Sequence, residues 1–132
     1  LLVGSAASNL ARGEWDIVVP VPLHPAKRRE RGFNQAERLA HCLGRATGIP
    51  ADMRMLRRIT PTPSQTRLSR TERAANVERA FAMQVGHKPA AGKRIVLVDD
   101  VLTTGATTSA CARVLRKAGA ENVCVWTVAR GV

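Results

Sequence analysis

The stretch "VLVDDVLTTGATTSA", Val96–Ala110, ends an apolar run on two adjacent carboxylates, Asp99 and Asp100. Ionised carboxylates only accept hydrogen bonds. They suit sugar hydroxyls, a protonated amine or a hydrated magnesium ion. Two spacer residues later come Thr103, Thr104, Gly105, Ala106 and Thr107. Gly105 permits close backbone approach or a positive φ. The N–H groups that open a following helix have no partner inside it, and with the helix dipole they favour a bound phosphate. Threonine hydroxyls add donors without adding charge. One short stretch is thus suited to a sugar through its hydroxyls and to that sugar's phosphate through backbone amides.

A second stretch is rich in cations. Lys27, Arg28, Arg29 and Arg31 fall within five residues. Arginine grips phosphate through two parallel hydrogen bonds, and pyrophosphate with magnesium still carries net negative charge. His24 lies just before these cations, where its backbone matters more than its imidazole. As a bare charge run, the stretch reads equally as a solvated loop.

Regular elements must position these groups. "WDIVVPV", Trp15–Val21, is β-rich and closed by prolines, so it predicts a strand ending near Val21. Asn34 is placed to cap a helix, with Glu37 three residues on. Ala36, Leu39, Ala40 and Leu43 form one helical stripe, which Gly48 and Pro50 stop. "MRMLRRI" is a weaker strand signal, and "TPTPSQTRLS" reads as exposed. Ser69 with Glu72 opens a short basic helix through about Arg79. Ile95–Val98 has the pattern of a central parallel strand covered on both faces. Thr107–Ala118 reads as a helix, with Ala110, Cys111, Val114, Leu115 and Ala118 on one side and Gly119 as its stop. Asn122–Ala129 is a final strand. The alternation predicts an α/β domain with a mainly parallel sheet flanked by helices. Ligands of such sheets sit outside the carboxyl ends of the strands, where both loops fall.

Composition narrows the choice. The chain has 132 residues, enough for one domain, residues 1–132. No apolar run approaches the roughly 20 residues of a membrane span, so no membrane insertion is expected. The opening lacks an initiator Met and a basic leader, and it reads as the inside of a longer chain. Net charge is +11, with 17 Arg against 4 Lys, which points to a polyanionic partner or to arginine-rich solvated faces. Only four aromatic residues, Trp15, Phe33, Phe81 and Trp126, are present, few for a single-strand stacking platform. Cys42, Cys111 and Cys124 are odd in number and widely spaced. They are expected in the core of a protein of the reducing cytoplasm. The P-loop pattern G-x-x-x-x-G-K-[ST] and the dinucleotide pattern G-x-G-x-x-G are both missing. A receiver domain carries its acid pair after its first strand, whereas here the pair follows a late one.

The stretch Val96–Ala110 resembles the 5-phosphoribosyl 1-pyrophosphate (PRPP) signature of type I phosphoribosyltransferases. "VPVPLHPAKRRERGFNQAERLA", Val19–Ala40, and "PSQTRLSRTERAANVERAF", Pro63–Phe81, resemble the ComF branch, the competence-protein-F-like members. The branch is carried by "RGFNQA" and by Q-x-x-L-x-x-x-x-R-x-x-N, Gln65 to Asn76. The resemblance implies the type I phosphoribosyltransferase fold. It implies that Asp99 and Asp100 hold the ribose and act in catalysis, and that Thr103, Thr104, Gly105, Ala106 and Thr107 hold the 5′-phosphate. The loop Leu23–Arg31, through Leu23, His24, Lys27, Arg28 and Arg31, would take pyrophosphate. A flexible hood over residues 60–82, with Gln65 and Arg73 as contacts, would close on the ligand. Mg²⁺ would be held through ligand oxygens and water, with no direct protein ligand. Full-length members of the branch usually carry an N-terminal cysteine-rich zinc module, which these residues do not contain.

Two functions follow from the resemblance. An enzyme would transfer phosphoribosyl to a nitrogenous acceptor with release of pyrophosphate, in a role linked to competence and DNA uptake. A non-catalytic module would sense PRPP or associate with single-stranded DNA or the competence machinery. The acceptor and the oligomeric state are left open by the sequence.

Overall fold

The structure is a computed structural model that describes residues 13–23, 32, 34–59, 71, 79–84, 86, 90–102 and 105–130. Three strands form a parallel sheet: β1 (Ile17–Pro20), β4 (Arg94–Leu102) and β5 (Asn122–Arg130), in the order β1-β4-β5. β4 lies in the middle because it is the strand that tolerates cover on both faces. Ile95, Val96, Leu97 and Val98 are all fully buried.

Helix α1 (Gln35–Thr47) covers one face of the sheet and α2 (Ala106–Lys117) the other. Val96 and Val98 pack with Val18, Ala40, Leu43 and Ile49. Ile95 and Leu97 pack with Val19, Cys111 and Leu115. The predicted stripe of α1 is the face it buries, since Ala36, Ala40 and Leu43 are buried and Leu39 is partly so. Its end also follows the sequence. Gly48 adopts φ 79°, and its N–H donates to Gly44 O at 2.8 Å. Helix α2 starts and stops one residue earlier than its pattern predicts.

The chain next pairs with the outer side of β1. Val18 N–H donates to Pro50 O at 2.8 Å, and Asp52 N–H donates to Val18 O at 2.9 Å. Two short strands, β2 (Leu56–Arg58) and β3 (Phe81–Met83), then form an antiparallel ribbon apart from the main sheet. Met55, Leu56, Ala80 and Phe81 join the apolar cluster on the α2 side. The "MRMLRRI" signal is therefore real but shorter, and it does not extend the parallel sheet. Strand β3 was not predicted. Three residues are too few to show a period. The expected helix from Ser69 to Arg79 lies almost wholly outside the described residues.

Ile59 N–H donates to Ala80 O at 2.7 Å, which extends the pairing of β2 and β3 by one bond. At the other end of the sheet, Asp16 carboxylate oxygens accept from Arg94 N–H at 2.8 Å and from the Arg94 guanidinium at 3.1 and 3.2 Å. The Arg94 guanidinium holds the Asp16 carboxyl below its ordinary range. Cys42 is exposed, which corrects its expected place in the core: it lies on α1 outside the buried stripe. Cys111 is buried and Cys124 partly so. Among the described residues no helix is long and apolar enough to cross a membrane.

The double-sided cover of β4 makes its centre sensitive to volume. Leu97→Ala is expected to cost about 2–5 kcal/mol through lost transfer energy and a cavity between β4 and α2. Urea unfolding of the two proteins measures this. A loss below about 1 kcal/mol would show that Leu97 does not bear on the core as described.

Candidate functional site

Parallel strands put their carboxyl ends at one edge, and the register sets the end of β1 beside Val98 of β4. Pro20 pairs with Val98, and Val21 N–H donates to Val98 O at 2.8 Å. β4 runs on beyond this point along β5, through Asp99↔Thr127 to Leu102↔Arg130. The acid pair was expected to leave the sheet where the strand ends. Instead, Asp99 and Asp100 belong to β4, beyond its pairing with β1 but still within its pairing with β5. Backbone pairing does not require apolar side chains, so the strand outlasts its apolar run.

Strand alternation sends adjacent residues to opposite faces. Asp99 shares the α2 face with Ile95 and Leu97, and Asp100 shares the α1 face with Val96 and Val98. Both carboxylates are half-buried. Asp99 Oδ1 accepts from the Asp100 backbone N–H at 2.9 Å. Partial burial pushes the Asp99 carboxyl up to about 6, with a contribution from a side-chain hydrogen bond with Asp100. The bond from the Asp100 N–H opposes this, and the charge of Asp100 adds to it.

Gly105 follows as the cap of α2, with φ 81° and ψ 0°. An L side chain rarely adopts this conformation, so the site needs glycine here. The cap offers no side-chain acceptor to the first turn. Thr108 is buried and its hydroxyl donates back to Gly105 O at 3.1 Å, which ties the turn to the helix. Among the described residues, Asp99 and Asp100 thus lie in the last part of β4, and Gly105, Ala106 and Thr107 lie at the start of α2, which follows that strand. Thr103 and Thr104 lie outside those residues.

Of the expected pyrophosphate loop, Leu23 is half-buried beyond the end of β1. His24, Lys27, Arg28 and Arg31 lie outside the described residues, as do the hood residues Gln65 and Arg73. The two ends of the loop are nevertheless fixed. Buried Asn34 caps α1 by accepting from Ala36 N–H at 3.0 Å. Its side-chain amide also donates to Val21 O at 3.2 Å. The cap was legible from sequence, whereas the second bond depends on which strand the helix meets.

Cys111 is buried, as its place on the helical stripe predicts, and its thiol is pushed up to about 12, chiefly by burial and then by the charge of Asp99, with Arg58 opposing. It is therefore a protonated core thiol at neutral pH. Arg58 was read only as part of a weak strand. It stands over the Phe81 ring, 5.3 Å from guanidinium carbon to ring centre. Its basic neighbours in "MRMLRRI" were the available signal.

The raised Asp99 carboxyl has a measurable consequence for stability. Its folded value, about 6, lies above its ordinary 3.8, so the folded state binds more protons between those limits. Stability is then expected to fall as pH rises from about 4 to about 6, and to be flat above. Asp99→Asn removes that cost. The variant should be more stable than the parent by about 1–2 kcal/mol at pH 7.5, after allowance for solvent screening of a half-exposed group. The difference should vanish below about pH 4. Urea unfolding across this range decides the matter, and a pH-independent difference would contradict the assignment.

Comparison with known proteins places the chain in a family. Residues 30–131 match the phosphoribosyl transferase domain family. The chain is 37% identical over 115 residues to competence protein F of Haemophilus influenzae, covering 87% of this chain and 50% of that protein. It is 38% identical over 115 residues to competence protein ComFC of Bacillus subtilis, covering 86% of this chain and 44% of that one. The chain therefore spans about half the length of the curated relatives it matches. Among solved structures it is similar to glutamine phosphoribosylpyrophosphate amidotransferase of B. subtilis, complexed with ADP and GMP. The TM-score is 0.60 at 25% identity, over 95% of this chain and 25% of that one. The fold, the acid pair on β4 and the glycine-opened α2 accompany these similarities, and the chain belongs to the phosphoribosyl transferase domain family, in its ComF branch.

Proposed function

We propose that this domain binds PRPP with Mg²⁺ and transfers its phosphoribosyl group to a nitrogenous acceptor, releasing pyrophosphate. The observation that carries this reading is the placement of Asp99 and Asp100 in the last part of β4, with Gly105 opening the helix that follows. Ribose hydroxyls donate to the two carboxylates. The 5′-phosphate accepts from the backbone N–H groups at the start of α2 and from the hydroxyls of Thr103, Thr104 and Thr107. Pyrophosphate extends toward Leu23 and the cations Lys27, Arg28 and Arg31, with His24 contributing its backbone. Gln65 and Arg73, in the chain between β2 and β3, close over the ligand.

In the reaction, a nitrogen lone pair forms the new bond to the anomeric carbon as the carbon–oxygen bond to pyrophosphate breaks. The departing pyrophosphate takes the electron pair of the broken bond, and the acceptor nitrogen gives up its proton to that pyrophosphate. Positive charge develops on the ribose ring in between. Asp99 and Asp100 fix the ring beneath that charge, which is positioning and electrostatic work and needs no covalent nucleophile. Mg²⁺, which dehydrates reluctantly and keeps several waters, would be held here through ligand oxygens and water. The metal, when bound, supplies charge neutralisation on the leaving pyrophosphate.

The names of the relatives, competence protein F and ComFC, support placing this chemistry in competence and DNA uptake. The net charge of +11 suits an attraction to single-stranded DNA whose strength would fall steeply with salt.

Thermal unfolding with PRPP and Mg²⁺ tests the site, with ribose 5-phosphate as control. Ligand at about 100-fold over Kd adds roughly 2.7 kcal/mol, or about 5–15 °C for a domain of this size. Asp99→Ala with Asp100→Ala should abolish the shift and leave a folded protein. Affinity should also drop as pH falls through about 6, where Asp99 takes up its proton. An unchanged shift in the double variant would sink the assignment. Pyrophosphate release with an added amine separates an enzyme from a sensor that binds without turnover.

A further inference from the structure

A cavity of about 350 Å³ opens between the carboxyl end of β1, the first turn of α1 and strand β2. Its two sides differ in chemistry. Pro20, Pro22, Leu23 and Leu56 supply apolar surface. Arg54, Arg57 and Arg58 supply three guanidinium groups, against the single carboxylate of Glu37 among the described lining residues. Arg54 and Arg57 are exposed, so they are free to meet a ligand without disturbing the core.

Arg58 gives the cavity a fixed point. Its guanidinium rests over Phe81, and its Nε is buried with no hydrogen-bond partner. A buried N–H without an acceptor is unfavourable, so the site holds an unmet demand for an acceptor atom. The cavity is lined by Pro20 and Pro22, and Val21 between them donates its N–H to Val98 O, one residue before Asp99, at 2.8 Å. The cavity therefore opens on the same edge of the sheet as the carboxylates.

An apolar wall beside three guanidinium groups suits one chemical class. Bare phosphate would waste the apolar wall, and a neutral base would leave the cations unanswered. Arginine pairs meet a carboxylate or a phosphate ester through parallel hydrogen bonds. We infer that this cavity binds a small organic anion, its apolar body against Leu23 and Leu56 and its carboxylate or phosphate ester held by Arg54, Arg57 and Arg58. The anion is the second reactant, so the acceptor is an acidic molecule. That role rests on the transfer reading above, whereas the binding itself does not.

The test uses arginine Nε–H resonances of the whole chain, with phthalate and phenyl phosphate as probes and benzamide as the uncharged control. Phthalate or phenyl phosphate should shift the Arg54, Arg57 and Arg58 signals saturably, and benzamide should not. The tighter of the two anions tells a carboxylate from a phosphate ester. R54Q/R57Q should weaken binding at least tenfold at an unchanged melting temperature. Saturating PRPP and Mg²⁺ should leave the anion bound. Three results would each overturn the proposal: no saturable shift with either anion, equal binding by R54Q/R57Q, or displacement of the anion by PRPP. Should the donor reading alone be wrong, PRPP would not raise the melting temperature, yet the anion would still bind.

Discussion

Cover on both faces of β4 is the constraint from which the rest follows. A strand between two helical layers must be apolar on successive residues, and Ile95–Val98 meets that condition. Once the strand is central, its neighbours are parallel and its carboxyl end faces the same way as that of β1. Polar side chains cannot enter the strand until the helical cover thins. Asp99 and Asp100 stand at that boundary, half in solvent. The same apolar surroundings that anchor the strand hold the first carboxyl up to about 6. Core and site are two lengths of one strand, and their energetics are linked for that reason.

Much of this was legible from residues that act locally. The four branched residues of β4, the Asn34 cap and the positive φ at Gly105 are each dictated by steric or hydrogen-bonding rules that operate within a few residues. What escaped the sequence depends on distant partners. β4 continues through Asp99–Leu102 because β5 offers its backbone there, and nothing in "DDVL" reveals that offer. β2 and β3 find each other across the residues between Arg58 and Phe81, and neither is long enough to advertise itself. Cys42 falls on the polar side of α1, although cysteine as a type is usually buried. The bond from Asn34 to Val21 likewise required knowing that α1 starts beside the end of β1.

The net charge of +11 acquires some order in the fold. Arg94 is committed to Asp16 at the amino end of the sheet, far from the acid pair along β4. Arg54, Arg57 and Arg58 cluster instead at the carboxyl side, around one cavity. One arginine thus aligns two strands, while others set a local potential where ligands of an open α/β sheet gather. A single charge total hides this division of labour.

Asn34 fastens both ends of the loop between β1 and α1 with a neutral amide. Its surroundings are full of groups that titrate or attract counterions, but the amide does neither. Neither acid nor salt removes its two hydrogen bonds, as protonation or screening would weaken those of a carboxylate. The join between strand and helix is thus built from a group that pH does not address.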